Sequence, residues 1–308
     1  MNIVFLDRST LGYDVDLGIF DELGNVITYD ITTPSETLER VKEADVVVTN
    51  KVVIDKEIMD NSDIKLICVA ATGMNNIDLE YAAQKNIAVK NAVGYSTPSV
   101  VQMTFSFALH FMQHLNFYKS YVDNGEWQKS PIFTNLDKPF NELGGKKWGV
   151  IGLGNIGAEV ASVAKAFGCE VSYYSTSGAN NNTNYPSISL EQLLEESDII
   201  SVHCPLNDTT KGLLNSTNMK QLKDKAIVLN LGRGGIIDEQ SILEIADSKE
   251  VYFGIDVVSK EPIDGDSPLL KVKNKERLLL TPHIGWASVE ARQRLIKCVF
   301  DNISEFVL

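Results

Sequence analysis

Three residues with acid–base or anion-binding side chains follow apolar runs late in the chain. Arg233 lies in the loop NLGRGG (230–235), Glu261 precedes a proline, and His283 lies in TPHIGW (281–286). A guanidinium can hold a carboxylate through two parallel hydrogen bonds. Histidine exchanges a proton near neutral pH, and a carboxylate beside it orients the imidazole. The three residues together predict a site that binds an anion and moves a proton.

Each of these residues also has a plain structural interpretation. Arg233 can form a surface salt bridge, although its flanking glycines favour anion binding. Glu261 taken alone is more typical of a solvated loop charge. His283 taken alone is as typical of a structural residue as of a catalyst.

A glycine motif stands where a buried strand turns into a helix. The apolar run 148–151 leads into GLGNIG (152–157) and then into an alanine-rich helix. In such a turn Gly152 permits the tight bend, Gly154 lets the backbone approach a pyrophosphate, and Gly157 lets the helix lie close to the sheet. The flanking strand and helix favour dinucleotide binding over a structural turn. Hydride transfer needs such a cofactor, a proton donor or acceptor, and an anchor for the substrate's charge.

The end of the next strand leaves the choice between NAD and NADP open. An acid that binds the adenosine ribose is expected after 171–174, but Ser175, Thr176 and Ser177 stand there, followed by a polar run at 178–184. No carboxylate repels a 2′-phosphate at this point, and no arginine or lysine binds one.

Other polar residues carry weaker predictions. The turn at 71–74 could present backbone N–H groups to a carboxylate, or it could be a plain strand-to-helix turn. His110 and His114 lie four apart in a predicted helix, but no third ligand is evident, so no metal site is predicted. His203 either lines the cofactor loop or packs locally, and packing is favoured.

Strands alternate with helices through the chain, which is typical of parallel α/β folds. Predicted strands are 3–6, 26–29, 46–49, 64–70, 87–89, 148–151, 171–174, 199–202, 226–230, 252–257 and 278–280. Predicted helices include 35–44 with Ser35 as its N-cap, 78–85, a long helix from Pro98 to about Phe117, a short helix opened by the capping box at 189–192, and 287–307. Residues 91–98 are expected to form a hinge. Residues 118–145 are predicted to be irregular, either as an arm that embraces a second subunit or as a covering loop, and the arm is favoured.

Composition restricts the class of protein. A length of 308 residues favours two domains, and the net charge of −13 argues against nucleic acid or an anionic membrane as a partner. The four cysteines show no metal-like spacing and lie in or beside apolar runs, which indicates buried thiols in a reducing cytoplasm. We expect neither a signal peptide nor a membrane span.

The chain resembles the D-isomer-specific 2-hydroxyacid dehydrogenase family over nearly its full length. The resemblance rests on ATGMNNID (71–78), NAVGYSTPSV (91–100), GVIGLGNIG (149–157), HCPL (203–206), NLGRGG (230–235), DVVSKEP (256–262) and TPHIGWAS (281–288). It implies two Rossmann-like doubly wound parallel-sheet domains with a cleft between them. A substrate domain would comprise 1–95 plus 286–308, and a dinucleotide-binding domain would comprise 96–285.

The resemblance also implies roles for individual residues. His283 would be the general acid/base with Glu261 as its partner, Arg233 would bind and polarise the keto acid, and backbone at Thr72 and Gly73 would hold its carboxylate. The cofactor contacts would be Gly152, Gly154, Asn155, Ile156, Gly157, Ser175, Thr176, Cys204, Pro205 and Asp256, the last of these at the nicotinamide carboxamide. No metal is implied, and the protein would be a homodimer.

Within the family, the sequences of 94–100 and 281–288 are most similar to those of the glycerate dehydrogenase/hydroxypyruvate reductase branch. There is no basic residue in 71–78 for a substrate phosphate, which favours a small unphosphorylated keto acid such as hydroxypyruvate or glyoxylate. The alternative is a dinucleotide-sensing binding protein similar to the dehydrogenase-like corepressors, which could retain the same three residues.

Overall fold

The computed structural model describes residues 1–307. The strands are β1 Asn2–Phe5, β2 Asn25–Thr28, β3 Val46–Thr49, β4 Leu66–Val69, β5 Ala88–Asn91, β6 Lys147–Ile151, β7 Glu170–Tyr174, β8 Ile199–Val202, β9 Ile227–Asn230, β10 Tyr252–Ile255 and β11 Leu278–Leu280. The helices are α1 Pro34–Val41, α2 Lys56–Asp60, α3 Leu79–Gln84, α4 Thr97–Gln113, α5 Leu115–Asp123, α6 Asn155–Ala166, α7 Leu190–Glu196, α8 Glu239–Ser248 and α9 Val289–Val307.

The described chain divides into two compact units. Unit 1 comprises Met1–Pro98 together with Trp286–Leu308, and unit 2 comprises Ser99–Gly285. The break at 98/99 lies three residues from the 95/96 boundary expected from the sequence, and the second break coincides with the expected one. The functions assigned to the two domains remain predictions.

Unit 1 is built on a five-stranded parallel sheet in the order β2-β1-β3-β4-β5. Strand β1 lies between β2 and β3, so the strand order reverses between β1 and β3. Helix α9 packs its apolar side, including Leu295 and Val299, into a buried cluster with Phe5 and Phe20. The C-terminal helix is therefore part of the core of unit 1.

Unit 2 repeats this arrangement with one more strand, in the order β11-β10-β9-β8-β6-β7. All its neighbouring strands are parallel, and the order reverses between β6 and β8. Strands β8 and β9 are buried along their whole length, because helices cover both faces of a doubly wound sheet. The prediction of an α/β fold with two parallel sheets is confirmed.

The long helix was predicted to run from Pro98 to about Phe117, and this C-terminal end is wrong. It stops at Gln113, His114 adopts a left-handed conformation with φ of 50°, and a second helix runs to Asp123. His110 and His114 are therefore not on one face of a continuous helix. Residues 118–123, predicted to be irregular, are helical.

Two helix starts refine the sequence-based prediction. Helix α1 is capped by Thr33 rather than by Ser35, through a reciprocal capping box with Glu36. Ser189 caps α7 by accepting a hydrogen bond from the Gln192 N–H, as predicted. The Gln192 side chain, however, binds Glu196 and does not return to the cap.

Helices α2 and α8 were not predicted. Both begin with an aspartate N-cap, Asp55 and Asp238, whose side chain accepts a backbone hydrogen bond.

Among the described residues, no helix combines the length and apolarity needed to cross a bilayer.

Candidate active site

His283 and Glu261 are in direct contact. The Nδ1 atom of His283 lies 2.8 Å from Oε2 of Glu261, and both side chains remain partly accessible. The other Glu261 oxygen accepts a hydrogen bond from the Val258 N–H at 3.2 Å. This arrangement fixes the imidazole through Nδ1 and leaves Nε2 for proton exchange.

A buried aspartate shapes the turn that carries His283. The Asp256 side chain, with the residue 2% exposed, accepts hydrogen bonds from Thr281 Oγ1 (2.5 Å), Ile284 N (2.8 Å) and Gly285 N (2.8 Å). Its carbonyl accepts the His283 N–H at 2.8 Å. His283 has φ of 54°, a left-handed conformation that needs such support in a residue with a Cβ. Asp256 therefore acts on the site by holding this turn, whatever contact it makes with a cofactor.

Arg233 lies in a loop fixed to the end of β9 by Asn230. The Asn230 amide donates to the Arg233 carbonyl at 2.9 Å, and its oxygen accepts the Gly232 N–H at 3.1 Å. The guanidinium of Arg233 donates to the Gly232 carbonyl, and no carboxylate in residues 1–307 forms an ion pair with it. The surface salt bridge considered above is not formed, so the guanidinium can bind an anion.

The glycine motif has the geometry that a dinucleotide requires. A Cβ on Gly157 would lie 2.1 Å from the Gly152 carbonyl oxygen, so the third glycine allows α6 to approach the turn. Gly152 has φ of 89°, and a Cβ there would lie 2.7 Å from the Cys204 nitrogen. Gly154 is the N-cap of α6 without a side-chain cap, and a Cβ there would meet open space. The first N–H groups of α6 thus have no side-chain cap, and a Cβ at Gly154 would meet nothing within 4 Å, as a pyrophosphate bound at this helix N-terminus would require.

Apart from Asp256, the remaining predicted cofactor contacts have uncharged side chains. Asn155 and Ile156 begin α6, Ser175 and Thr176 follow β7, and Cys204 and Pro205 follow β8. In the polar loop after Ser175, the side-chain amide of Asn180 donates to the Leu153 carbonyl at 2.7 Å, and its backbone N–H points to Ser175 Oγ at 3.4 Å. The loop is thereby held against the glycine turn, as an uncharged rim.

Thr72 and Gly73 belong to unit 1, whereas the other predicted site residues belong to unit 2. They lie in the segment between β4 and α3. Thr72 Oγ1 donates to the Ala92 carbonyl at 3.0 Å, and the Asn91 amide donates to the Thr72 carbonyl at 2.7 Å. These bonds fix the segment to the end of β5. Its role as a carboxylate nest remains a prediction.

The other histidines lack the features of an acid–base group or a metal ligand. Burial lowers the pKa of His203 to about 3, and its ring nitrogens have no hydrogen-bond partner among the described residues. This neutral ring fits the favoured packing interpretation. Burial, followed by the nearby His114, lowers the pKa of His110. Residues 1–307 contain no group of three potential ligands placed to hold a metal ion.

Comparison with known proteins assigns the family. Residues 105–285 match the model of the D-isomer specific 2-hydroxyacid dehydrogenase NAD binding domain. The hydroxypyruvate reductase of Blautia hydrogenotrophica is 38% identical over 100% of this chain and 97% of its own length. The glycerate dehydrogenase of Methylorubrum extorquens is 33% identical over 99% and 96%. The crystal structure of the TT0316 protein from Thermus thermophilus superposes with a TM-score of 0.88, at 28% identity over 100% of this chain and 97% of that chain.

This chain belongs to the D-isomer-specific 2-hydroxyacid dehydrogenase family.

The family membership and its glycerate dehydrogenase/hydroxypyruvate reductase branch, both predicted from the sequence, are confirmed. The protein is an NAD(P)-dependent oxidoreductase that interconverts 2-keto acids and D-2-hydroxy acids. The choice between NAD and NADP stays open, as the uncharged rim at Ser175 indicates.

Sequence reasoning missed two residues of the site. Gly234 and Glu239 both contact the loop that carries Glu261. The signals were present, because glycine runs mark close backbone approach and Asp238-Glu239 is a helix-start pattern. Neither the glycine run nor the helix-start pattern shows that the contacted segment is the loop of Glu261.

Proposed function

We propose that the protein interconverts a small unphosphorylated 2-keto acid, hydroxypyruvate or glyoxylate, with its D-2-hydroxy acid. The observation that carries the proposal is the 2.8 Å contact between His283 Nδ1 and Glu261. The names of the two enzyme relatives, hydroxypyruvate reductase and glycerate dehydrogenase, support the substrate class.

In this proposal His283 is the general acid/base. Its Nε2 gives a proton to the keto oxygen during reduction and takes it from the hydroxyl during oxidation. Glu261 holds the ring through Nδ1 and stabilises its charged form. A bound nicotinamide cofactor supplies or accepts the hydride.

Arg233 binds the substrate and polarises its keto group. Its guanidinium is not neutralised by any described carboxylate, so it can form charge-assisted hydrogen bonds with the keto acid. The backbone at Thr72 and Gly73 binds the substrate carboxylate. A local cation is needed because the net charge of −13 does not attract an anion.

The N–H groups at the start of α6 would hold the pyrophosphate of the cofactor beside Gly154. Ser175 and Thr176 bind the adenosine ribose, and Cys204 and Pro205 contact the cofactor from the loop after β8. Asp256, which holds the turn at 281–285, would accept a hydrogen bond from the nicotinamide carboxamide.

Absorbance loss at the nicotinamide band tests the proposal. NADH and NADPH are offered separately with hydroxypyruvate, glyoxylate, pyruvate and a bulky aromatic keto acid. Turnover of hydroxypyruvate or glyoxylate in preference to the others is expected. Cofactor binding without turnover of any keto acid, together with cofactor-dependent binding of a partner protein, would favour the dinucleotide sensor.

His283→Ala tests the assigned acid/base. Turnover should fall by about 10²- to 10⁴-fold because no other group replaces the proton donor, while the Kd for NADH stays within about 3-fold. Steady-state kinetics and NADH fluorescence measure the two quantities. Unchanged turnover would refute the role of His283.

We also propose a homodimer formed through unit 2, with 118–145 as the embracing arm. Large apolar side chains are exposed on this part of the chain, including Phe133 (88% exposed) and Leu136 (72%). Such a surface is typical of a subunit contact. Sedimentation should give twice the chain mass of 34.0 kDa, and a monomer at micromolar concentration would refute the dimer.

A cytoplasmic location completes the proposal. Burial raises the pKa of Cys68 to about 12 and that of Cys169 and Cys204 to about 11, so these thiols stay protonated and inert. Thiols of this kind suit a reducing compartment. Fractionation of cells that express the protein would test the location.

A further inference from the structure

Glu261 lies in a loop with little regular structure to fix it. The segment from Val257 to Ser267 follows β10 without a helix or strand, and Glu261 itself is partly exposed. The ion pair between Lys260 and Asp264 lies at the surface, where such pairs contribute little stability. The orientation of Glu261 toward His283 must therefore depend on other contacts.

One contact is a close approach between two backbones. A Cβ on Gly234 would lie 2.0 Å from the Val258 carbonyl oxygen and 2.6 Å from the Ser259 nitrogen. Gly234 does not have a positive φ, so the position requires glycine for space and not for conformation. Any side chain here would push the loop of Glu261 away from the loop of Arg233.

The other contact is a carboxylate at the start of α8. Oε1 of Glu239 accepts a hydrogen bond from the Ser259 N–H at 2.6 Å, and Ser267 Oγ donates to Oε2 at 3.4 Å. Both ends of the loop are thus bound to one side chain, with Glu261 between them. A carboxylate in the first turn of a helix is also favoured by the helix dipole.

These contacts connect the anion-binding residue to the acid–base pair. Gly234 follows Arg233 directly, and Glu239 lies five residues beyond Gly234 on the same segment. On the other side, the Val258 N–H binds Glu261, which holds His283. The contacts of Gly234 and Glu239 with Ser259 therefore fix the distance between Arg233 and the Glu261–His283 pair.

We propose that Glu239 is a positioning residue, which acts with Gly234 to hold Glu261 on His283 in register with Arg233. The proposal rests on the proposed function of the Glu261–His283 pair. Loss of the Glu239 carboxylate releases Ser259 and lets Glu261 move from His283 Nδ1. The substrate anchor stays in place, because Asn230 holds the Arg233 loop independently.

The kinetic test compares three variants of α8. Glu239→Ala should lower kcat by about 10- to 100-fold with KM for the keto acid nearly unchanged, because a misplacement of about 1 Å has effects of this size. Glu239→Gln should recover most of kcat, since its amide oxygen can still accept the Ser259 N–H. Glu244→Ala is the matched control, because Glu244 is exposed on the same helix. Equal kcat in Glu239→Ala and Glu244→Ala would overturn the proposal.

A double-mutant cycle separates positioning from general stability. If Glu239 acts through Glu261, Glu239→Ala should have no further effect on kcat in a Glu261→Ala background. Additive losses would overturn the proposal. If Glu261→Ala alone leaves turnover unchanged, the proposed function of the pair fails instead, and the two failures are thus distinguishable.

Hydrogen exchange gives a readout that does not need turnover. Amides of 258–261 should exchange faster in Glu239→Ala than in Glu244→Ala, and unchanged exchange would overturn the proposal. Should Glu239→Ala not fold, Gly234→Ala provides the same kinetic and exchange test. Its control is Gly265→Ala in the same loop, where a Cβ would meet open space.

Discussion

The two sheets of this protein share a strand order but differ at the crevice where that order reverses. In unit 2 the turn after β6 and the start of α6 contain Gly152, Gly154 and Gly157, and a Cβ at Gly154 would meet nothing within 4 Å, so the crevice is open there. In unit 1, between β1 and β3, it holds the side chain of Asp7. That carboxylate accepts the N–H groups of Asn50 (2.9 and 3.0 Å) and Lys51 (2.7 Å).

The comparison shows that the fold provides the same crevice in both units, whereas the residues in the crevice decide whether a ligand can enter it. Parallel sheets of this order create an anion-binding crevice at the switch point. Unit 1 fills the crevice with its own anion, and unit 2 leaves it for a ligand. Burial raises the pKa of Asp7, opposed by the hydrogen bonds from Asn50 and Lys51, so the internal anion is held at some energetic cost.

Placing a carboxylate in the open crevice should have the largest effect on cofactor binding. In Gly154→Asp the new side chain can cap α6 and occupy its first N–H groups, while its charge repels a pyrophosphate. We expect NADH affinity to fall at least about 100-fold, with the melting temperature unchanged or higher because aspartate is the better N-cap. Fluorescence titration and thermal unfolding measure both. Gly265→Asp is the control, and equal weakening by both variants would contradict the comparison.

Removing the internal anion should weaken unit 1 without affecting the ligand of unit 2. Asp7→Ala leaves the Asn50 and Lys51 N–H groups unsatisfied, each costing about 1–3 kcal/mol of unfolding free energy. Asp7→Asn should lose less unfolding free energy than Asp7→Ala, since its amide oxygen still accepts a hydrogen bond. Urea unfolding measures the loss, and the Kd for NADH should not change. Wild-type stability in Asp7→Ala would remove the structural role given to this carboxylate.

Charging the rim of the open crevice should have the smallest effect. Ser175→Asp places a carboxylate where the adenosine ribose is proposed to bind, which repels a 2′-phosphate. The ratio of the NADPH Kd to the NADH Kd should rise by about 10-fold. Asn184→Asp, farther along the same exposed loop, should leave the ratio unchanged. Equal ratios in both variants would place the ribose elsewhere.

The strands were the most predictable part of this fold. Val46–Thr49 agrees with the prediction at both ends, because a short β-branched run in a doubly buried strand has no competing pattern. The break at His114 was not predictable, since the apolar pattern continues through it and no glycine or proline marks it. Helix α8 was missed because it follows a glycine-rich loop closely, although Asp238-Glu239 is a helix-start pattern.

The contact between Glu261 and His283 was predictable from the sequence, whereas the residues that support it were not. Glu261 and His283 are 22 residues apart, and only the common edge of parallel strands brings them together. The three hydrogen bonds of Asp256 and the two of Glu239 depend on tertiary contacts that no local pattern encodes. In the sequence alone, Asp256 and Glu239 cannot be distinguished from other acidic residues.

The packing of α9 has a consequence for synthesis of the chain. Leu295, Ile296 and Val299 close the cluster that contains Phe5 and Phe20. A nascent chain presents the five strands of unit 1 first, but their apolar face stays uncovered while Ser99–Gly285 is translated. Unit 2, by contrast, is continuous in sequence and can fold as it leaves the ribosome. The first unit to be made is thus the last to be finished, and a premature stop before Val289 would release a chain with an open core.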